Sequence, residues 1–448
     1  MRKLMLIRQG LLIMAAVLTG PYGEILASEP QPPGSIASDE DAFPQLQNNT
    51  PPSRRSGSTG NNAATPDFLR GLQLADAGPR RGRQSFQSLL APAQFHGNLF
   101  GSSGQVTVLT RDDQAAGKPG GQLSADLITA GGNSAFSISD NNKPVPQDRF
   151  FFDYRHYNNA FGTQSSGGGA SPSNRRQNFD GFLFGLEKTF GKAENTSLEV
   201  RIPFAGNAGI NASGFGIGGD QFGNIPVVWK QAILIDESYS VVAGSALITP
   251  TGGDSTGQFN GLPFRVRNEA WHIAPFIGVM LLPDQGGVTD EYDSIFPSSV
   301  AGALGRTTFQ CFGQVNVPLN DQGVVVPDVS SGGFREATLL SLDPGAVYNF
   351  FEHPNAEAIT RLDGSLELHY TKNIGGGSNY AADIPFREPL MFTSTRMTDL
   401  LNMSAGFSIE LNHKTRIQVA AVVPLFSADA INRRAFDSEF IFSINRFY

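Results

Sequence analysis

The sequence predicts an all-β protein: an antiparallel transmembrane β-barrel of about twelve strands that follows a signal peptide and a disordered N-terminal linker. Three observations predict this fold. Apolar and polar residues alternate along many segments of strand length. The connections between these segments are alternately short and long, and the chain stops on an alternating strand that ends at Tyr448. No segment approaches the ~18 consecutive apolar residues of a transmembrane helix, so entry into a membrane would require strands.

Residues 1–27 predict a secretory signal peptide. Positive residues at its start precede a compact apolar run over residues 11–18, and Ala27 supplies a small residue for cleavage. The apolar run is too short to span a bilayer, and the alternative is an uncleaved N-terminal anchor. This pattern predicts that the mature chain is exported.

Two further segments precede the predicted barrel. Residues 28–94 are rich in Pro, Gly, Ser and Asn, which leave little apolar surface to bury, and so predict a disordered or low-complexity periplasmic linker. Residues 95–145 carry short strand signals that are broken by Gly and Asp. The sequence leaves open whether this second segment is a plug, a set of extra strands or a periplasmic piece.

Composition limits the classes of partner. The formal net charge of −8 over 448 residues argues against a nucleic acid, because phosphate binding needs a positive field. Cys311 is the only cysteine, which excludes an intrachain disulfide framework. Only 17% of the residues are charged, a low fraction for a soluble chain of this length.

The predicted barrel covers residues 146–448 and contains twelve strand segments, each bounded by Gly, Asn, Asp or Pro. The predicted segments are 149–157, 179–190, 196–204, 223–236, 239–249, 269–281, 307–318, 337–351, 357–371, 399–411, 415–426 and 436–448.

Segment 399–411 shows the alternation most clearly. One face carries Leu401, Met403, Ala405, Phe407, Ile409 and Leu411, and the other carries Asn402, Ser404, Gly406, Ser408 and Glu410. Because successive side chains on a strand point to opposite faces, such a segment has one apolar and one polar face. Segments 239–249 and 307–318 alternate less cleanly. A soluble sandwich would bury the apolar faces, whereas a membrane barrel would turn them toward lipid.

Loop and strand lengths favour the barrel. Short connections near 191–195, 236–238 and 412–414 alternate with long connections rich in Gly and Ser, as in a barrel with short periplasmic turns and long external loops. The segments hold about 9–13 residues, enough to cross a hydrocarbon core at a tilt, whereas soluble strands average ~5–6. Residues 283–306 break the pattern, either as a periplasmic insertion or because a strand is miscounted.

The end of the chain predicts a partner. Phe440, Phe442, Ile444 and Tyr448 share one face of the last segment, and no tail follows. A terminal aromatic residue on such a strand resembles the signal by which outer-membrane barrels are recognised, so the barrel-assembly machinery is a predicted partner. The alternative is an ordinary terminal strand. An even number of strands places both ends of the barrel on one side, so we expect the N-terminal linker on the periplasmic side.

Three motifs carry a family resemblance. The sequences PQDRFFFDYRHYNN from Pro146, FLFGLEKTFG and SLEVRIPF resemble an uncharacterised group of predicted outer-membrane β-barrel, porin-like proteins from planctomycete bacteria. The similarity extends over about residues 120–448. It implies a barrel fold and an outer-membrane location, and it brings no functional residue to this chain.

Motifs for catalysis or cofactor binding are weak. Residues 214–219 match G-x-G-x-x-G, but a strand start and not a helix follows, which favours a loop over a dinucleotide site. The histidines lack metal-ligand spacing, and the sequence has neither H-E-x-x-H nor G-x-S-x-G. The sequence therefore predicts no enzyme activity, cofactor or metal site. A hydrolase that uses His272 with a nearby serine remains an alternative.

The polar rows supply the candidate functional residues. Their charges form either a paired network that braces a narrow barrel or a charged pore lining that screens solutes. The candidates for pore lining are Arg149, Asp153, Arg155, Glu187, Glu199, Arg201, Lys230, Arg361, Asp363, Glu367, His369, Glu410 and Arg416.

The leading functional hypothesis is an outer-membrane barrel that acts as a passive, porin-like channel for small polar solutes and contacts outer-membrane lipid. The alternatives are a non-conducting barrel that anchors the N-terminal segment or displays its loops, an outer-membrane hydrolase, and a secreted soluble β-protein. The sequence leaves the solute and the oligomeric state open.

Overall fold

The computed structural model describes residues 104–109, 122–127, 136–166, 174–191, 194–206, 210–212, 215–219, 222–236, 238–259, 261–282, 298–353, 355–356, 358–382, 390–393, 399–425 and 436–448. The predicted signal peptide over 1–27 and the predicted linker over 28–94 lie outside these residues. The described strands are numbered β1 to β22 in chain order, and one helix, α1, spans Ser298–Gly305.

Twelve strands close into an antiparallel β-barrel. Each pairs with its neighbour along the chain, and the first barrel strand pairs with both the second and the last, which closes the ring. The barrel strands are β3 (Arg149–Ser166), β4 (Asn174–Phe190), β5 (Thr196–Gly206), β8 (Ile225–Ile235), β9 (Tyr239–Thr249), β12 (His272–Leu281), β13 (Thr307–Pro318), β16 (Thr338–Glu352), β17 (Ile359–Gly375), β20 (Asp399–Leu411), β21 (Thr415–Pro424) and β22 (Ser438–Phe447).

All twelve predicted segments correspond to barrel strands, so the predicted fold is confirmed. The strand count is also correct across residues 283–306, because β12 and β13 on either side of this stretch pair directly with each other. The stretch is therefore an insertion between neighbouring strands, and it ends in α1. Several strands are longer than predicted; β3 and β4, for example, continue into the connection between them.

The two ends of the barrel differ. The turn rim is the end that holds the short connections after β4, β8, β16 and β20 and the longer insertion after β12, together with the first residues of β3 and the last of β22. Asn412 and His413 have φ of 51° and 55° in the three-residue connection between β20 and β21, where Lys414 N donates to the carbonyl of Leu411. The opposite end is the loop rim.

The long connections at the loop rim contain strands of their own. One six-stranded sheet combines three hairpins from successive connections: β6 (Ile210–Ala212) with β7 (Phe215–Gly219), β10 (Ser255–Phe259) with β11 (Leu262–Arg267), and β14 (Gln322–Val326) with β15 (Ser330–Phe334). The predicted loop at 214–219 is thus wrong for β7. The next described element is the strand β8 and not a helix, so the sequence-based argument against a dinucleotide site is unchanged.

A hairpin from the N-terminal region joins the loop rim. Strands β1 (Gly104–Leu109) and β2 (Gln122–Leu127) pair with each other, and β2 pairs with the loop-rim end of β3 at Thr163–Ser166. On its other side β1 pairs with β19 (Leu390–Thr393), which pairs with β18 (Asn379–Ala382). These two strands lie in the segment 95–145, for which the sequence left a plug, extra strands and a periplasmic piece open, and the side expected for the linker over 28–94 stays a prediction.

The orientation of the side chains indicates which environment each surface of the barrel faces. Phe407 and Leu366 on the outer surface are 57% and 53% exposed, whereas Arg149, Glu187 and Lys230 on the inner surface are fully buried. The outer charges Lys188 and Arg446 lie at the turn rim, near strand ends. A soluble sandwich would bury the apolar rows between sheets. An apolar outer wall around a charged interior is instead the arrangement of a barrel that spans a membrane.

The wall also accommodates large side chains that point inward. Phe151 is buried among lumen charges, and its ring covers Gly185 on the adjacent strand β4. A Cβ atom at Gly185 would lie 2.0 Å from this ring, so only glycine leaves room for Phe151 in this position.

Among the described residues, no helix combines the length and the apolar character needed to cross a bilayer.

The outer surface generates a test of orientation. Val419 lies at the middle of β21 and faces outward, so Val419→Arg is expected to destabilise the barrel by about 2–4 kcal/mol in lipid. Phe190→Arg at the turn rim is the matched control, with an expected change of about 0–1 kcal/mol because the charge can reach the interface. Urea unfolding in lipid vesicles measures both free energies of unfolding. Equal effects at the two positions would contradict a lipid-facing outer surface.

Candidate functional site

The lumen of the barrel contains a separate stretch of chain. Residues 136–147, here called the lumen segment, are all buried and lead directly into β3. Phe136 packs among inward-facing residues that include Ile248 near the loop-rim end of β9. Val145 packs against Met280 and Leu282 at the turn-rim end of β12. The segment therefore runs along the lumen from the loop half of the barrel to the turn rim.

Polar contacts hold the lumen segment in place. Ile138 N donates to Gln314 Oε1 at 2.6 Å, and Gln314 Nε2 donates to the carbonyl of Phe136 at 2.5 Å. Nearer the turn rim, Ser240 Oγ donates to the carbonyl of Pro144 at 2.7 Å. Side chains of the wall thus supply the hydrogen bonds that a neighbouring strand would otherwise provide to this buried backbone.

The carboxylate of Asp140 lies between two arginines of the wall. It forms an ion pair with Arg155 and lies 3.8 Å from Arg201 Nη1. Arg155 also contacts Glu439 at 2.8 Å, and Arg201 also pairs with Glu199. A charge in this interior has no bulk water around it, so each depends on partners of opposite sign.

Arg149 joins the wall to the lumen segment at the next level. Its guanidinium lies 3.0 Å from Glu187 and 3.1 Å from Glu199, and it donates to the carbonyl of Asn141 at 2.5 Å and to Asn445 at 2.9 Å. The ring of Phe151 lies 4.3 Å from the same guanidinium. This set of contacts uses the planar, multidentate geometry of arginine.

Lys230 extends the network to β8. Its ammonium lies 2.8 Å from Asn142 Oδ1 and 2.9 Å from Glu187 Oε1. The lumen segment consequently touches charged or polar side chains on strands that are far apart around the ring.

A second cluster surrounds His369. Its Nδ1 lies 3.0 Å from Asp343 Oδ1, while its Nε2 lies 3.2 Å from Glu367 and 3.3 Å from Ser404 Oγ. The order serine, histidine, aspartate resembles a hydrolytic triad. However, the Glu367 carboxylate faces the nitrogen that would have to accept the serine proton, so the geometry favours a charge-bridging histidine over a general base.

The hydrolase alternative at His272 has no serine partner in the described contacts. His272 Nδ1 lies 3.2 Å from Asn316 and Nε2 lies 3.7 Å from Glu336. Within the described part of the chain, no group of three or more potential ligands is arranged to hold a metal ion.

A third cluster lies at the turn rim. Arg361 contacts Asp363 at 2.7 Å and Glu352 at 3.0 Å, and Arg416 pairs with Glu410 on the neighbouring strand β20. All thirteen candidates from the sequence thus face the interior, and only Glu410 retains appreciable side-chain exposure, 13%. Whether they line a conducting pore stays a prediction.

Part of the lumen wall is apolar, which the sequence pattern did not predict. Inward-facing residues of β8, β9, β12 and β13 form a cluster with Phe136 and Ile138 of the lumen segment. The wall residues in this cluster are Val228, Ala232, Val242, Ala246, Ile248, Ala274, Phe276 and Phe312. The signal was present in segments 239–249 and 307–318, whose weak alternation reflects two apolar faces on β9 and an inward Phe312 on β13.

The loop rim is covered by an apolar group of its own. Hairpin residues such as Phe264, Phe334 and Phe392 pack with barrel-end residues such as Tyr157 and Phe179. The rings of Phe264 and Phe392 meet edge to face with centroids 5.4 Å apart. This mouth cluster, the hydrophobic core at the loop rim, lies above the charged layers of the lumen.

The geometry defines a membrane-spanning, twelve-stranded β-barrel whose lumen holds residues 136–147 of the same chain. Its sequence matches no protein-family model, and no curated protein matches it. Several solved structures are similar at low identity. The NanC porin is 8% identical, with coverage of 67% of this chain and 99% of the porin and a TM-score of 0.33.

Two proteins from Pseudomonas putida are also similar. An outer-membrane channel from strain F1 is 10% identical, with coverage of 68% of this chain and 97% of that chain and a TM-score of 0.37. The toluene transporter TodX is 8% identical, with coverage of 71% and 95% and a TM-score of 0.33. The barrel assignment rests on the strand pairing and not on these similarities.

The Arg149 network generates a stability test. Arg149→Met removes the guanidinium and leaves Glu187 and Glu199 buried with fewer cationic partners, so the free energy of unfolding is expected to fall by about 3–5 kcal/mol. Arg265→Met is the matched control, because Arg265 is 59% exposed in its pair with Asp254 and an exposed pair contributes about 0–1 kcal/mol. Denaturant unfolding in detergent measures both. A loss at Arg149 no larger than at Arg265 would contradict a dry, charge-paired lumen.

Proposed function

We propose that this protein is an outer-membrane channel for small polar solutes, and that the lumen segment closes it in the structure described. The observation that carries the proposal is the chemistry of the lumen segment. In the layers around Asn141 and Asn142, a polar stretch of chain meets a charged wall through hydrogen bonds and ion pairs.

Such contacts are suited to reversible opening. When the lumen segment moves away, water can hydrate both surfaces, because exchange of protein–protein for protein–water hydrogen bonds changes the free energy by only about 0.5–1.5 kcal/mol per bond. A lumen filled entirely by interlocking apolar side chains would instead expose apolar area to water on opening. The apolar contacts of Phe136, Ile138 and Val145 restrain the segment at its two ends.

The wall that opening would expose supports passage of polar solutes. Both signs of charge line the same stretch of lumen. The cations are Arg149, Arg155, Arg201 and Lys230, and the anions are Asp153, Glu187, Glu199 and Glu439. A lining of mixed sign offers hydrogen-bond partners to polar solutes without a strong preference for one charge. The thirteen inward-facing candidates are therefore proposed as pore-lining residues.

The surroundings of the barrel follow from its outer surface. The apolar belt supports contact with outer-membrane lipid, and an exported barrel needs catalysed insertion into that membrane. The last strand, β22, ends one residue before Tyr448, which is 62% exposed at the turn rim. We propose that this strand is presented to the barrel-assembly machinery and that the turn rim faces the periplasm.

A second function is favoured by a specific observation. The lumen is occupied in the layers around the lumen segment, and the mouth cluster covers it at the loop rim. A barrel that stays closed would be a membrane anchor that carries the β1–β2 hairpin and the six-stranded sheet at the loop rim. Conductance separates this alternative from the channel.

Planar-bilayer recording tests the channel proposal. Replacement of residues 137–142 by a Gly/Ser sequence removes the contacts of Asp140, Asn141 and Asn142 and keeps the chain length. Wild-type protein is expected to be mostly closed, and the replacement variant is expected to conduct at least about tenfold more of the time, since loss of even one such contact of ~1.4 kcal/mol changes an equilibrium tenfold. The fraction of time in the conducting state is the measurement.

Lys414→Gly at the turn rim is the control, since it alters an exposed turn residue outside the lumen. It should conduct as wild type does. A replacement variant that is folded by its heat-modifiable migration and still does not conduct would reject the channel and leave the anchor.

A further inference from the structure

The barrel wall has an incomplete seam between β5 and β8. Their ladder runs only from Thr196 paired with Gln231 to Val200 paired with Val227. Toward the loop rim, β5 contacts residues that precede β8: a single bridge joins Phe204 and Phe222, and Gly223 N donates to the carbonyl of Pro203 at 2.8 Å. The other neighbouring barrel strands share longer ladders.

Two prolines explain why the seam stays open. Pro203 on β5 and Pro226 on β8 stand on either side of the interruption, and neither has a backbone N–H to donate across it. A proline in the interior of a sheet removes one hydrogen bond between neighbouring strands. Here each of the two facing strands, β5 and β8, loses one such hydrogen bond. The sequence therefore specifies this gap locally.

A cavity of about 70 Å³ lies at the seam. Aromatic rings form much of its lining, and they come from both faces of the wall: Phe136, Tyr157 and Phe179 from inside, and Phe182 and Phe204 from the outer surface. Because inner and outer side chains line one space, this seam cavity extends through the wall toward the lipid-facing side.

One buried polar group in the cavity lining lacks a partner. Arg201 lines the seam cavity, is 1% exposed, and its Nη2 has no hydrogen-bond partner among the described residues. The other nitrogens of this guanidinium contact Glu199 and the carbonyl of Ser137. A buried N–H without an acceptor is unfavourable, so the site is suited to a ligand that brings one.

The charges around the cavity indicate which acceptor fits. Arg155 and Arg201 are surrounded by three carboxylates, those of Asp140, Glu199 and Glu439. A further anion would lie close to these carboxylates, whereas a hydroxyl or carbonyl oxygen accepts a hydrogen bond without adding charge.

We propose that the seam cavity binds a small uncharged amphipathic molecule: a compact apolar group among the aromatic rings, with a hydroxyl or carbonyl oxygen that accepts from Arg201. The cavity has about half the volume of the roughly 150 Å³ cavity that admits benzene, so the apolar group contains about three or four carbon atoms. This site shares Arg155 and Arg201 with the proposed pore lining, but its occupation does not require the lumen segment to move.

Fluorine NMR of the whole barrel in detergent tests the proposal, with trifluorobutanol as the probe and trifluorobutanoate as its charged analogue. Trifluorobutanol is expected to bind wild-type protein saturably and more tightly than trifluorobutanoate. Ala205→Leu places methyl groups in the cavity and is expected to weaken binding about tenfold or more. Gly181→Leu is a second filling variant, since a Cβ at Gly181 meets no atom closer than 3.7 Å and the fold should tolerate it.

Ala421→Leu is the matched control, because Ala421 is exposed on the outer surface of β21, away from the seam; its affinity should equal that of wild type. Arg201→Met should bring the affinity for trifluorobutanol close to that for trifluorobutane, which lacks the acceptor.

Absence of saturable binding of trifluorobutanol to wild-type protein would overturn the site, as would an affinity in both filling variants equal to that of wild type. Tighter binding of trifluorobutanoate would overturn the uncharged class. None of these outcomes depends on whether the barrel conducts.

Discussion

Neutralisation of charge inside the barrel is the constraint on which the rest of the structure depends. The outer wall must be apolar to face lipid, so the alternation of each strand directs its polar row inward, where bulk water is absent. Four cations, Arg149, Arg155, Arg201 and Lys230, then require partners across the lumen. The lumen segment supplies several of them through Asp140, Asn141 and Asn142, and so completes the interior as well as closing it.

This dependence connects stability to function. In the proposed channel, the side chains that hold the lumen segment are the same ones that a solute would meet after the segment has moved, so each contact that stabilises the closed barrel would also oppose opening. The wall is not uniform around the ring. Charged rows on β3, β4 and β5 contrast with apolar rows on β9 and β12, and the lumen segment presents Asp140 to the first and Ile138 to the second.

The loop rim shows how long connections acquire structure in a barrel. Their strands pair with one another and with the β1–β2 hairpin, which satisfies backbone groups that would otherwise form exposed edges. Of the described residues before β3, β1 and β2 lie at the loop rim, and residues 136–147 run through the lumen to the start of β3 at the turn rim. The β5–β8 seam is the place where pairing is interrupted, and the interruption coincides with two prolines and the seam cavity.

The sequence by itself determined the twelve strands and the division of each into an apolar and a polar row, because the period of two that encodes them is local and requires no knowledge of distant neighbours. Tertiary structure decided what fills the lumen. The Arg149–Asn445 and Arg155–Glu439 contacts join residues 296 and 284 positions apart, and only closure of the ring brings them together. Residues 136–147 carry no period of their own, so their place inside the barrel depends on complementarity with a wall that exists only after the strands have paired.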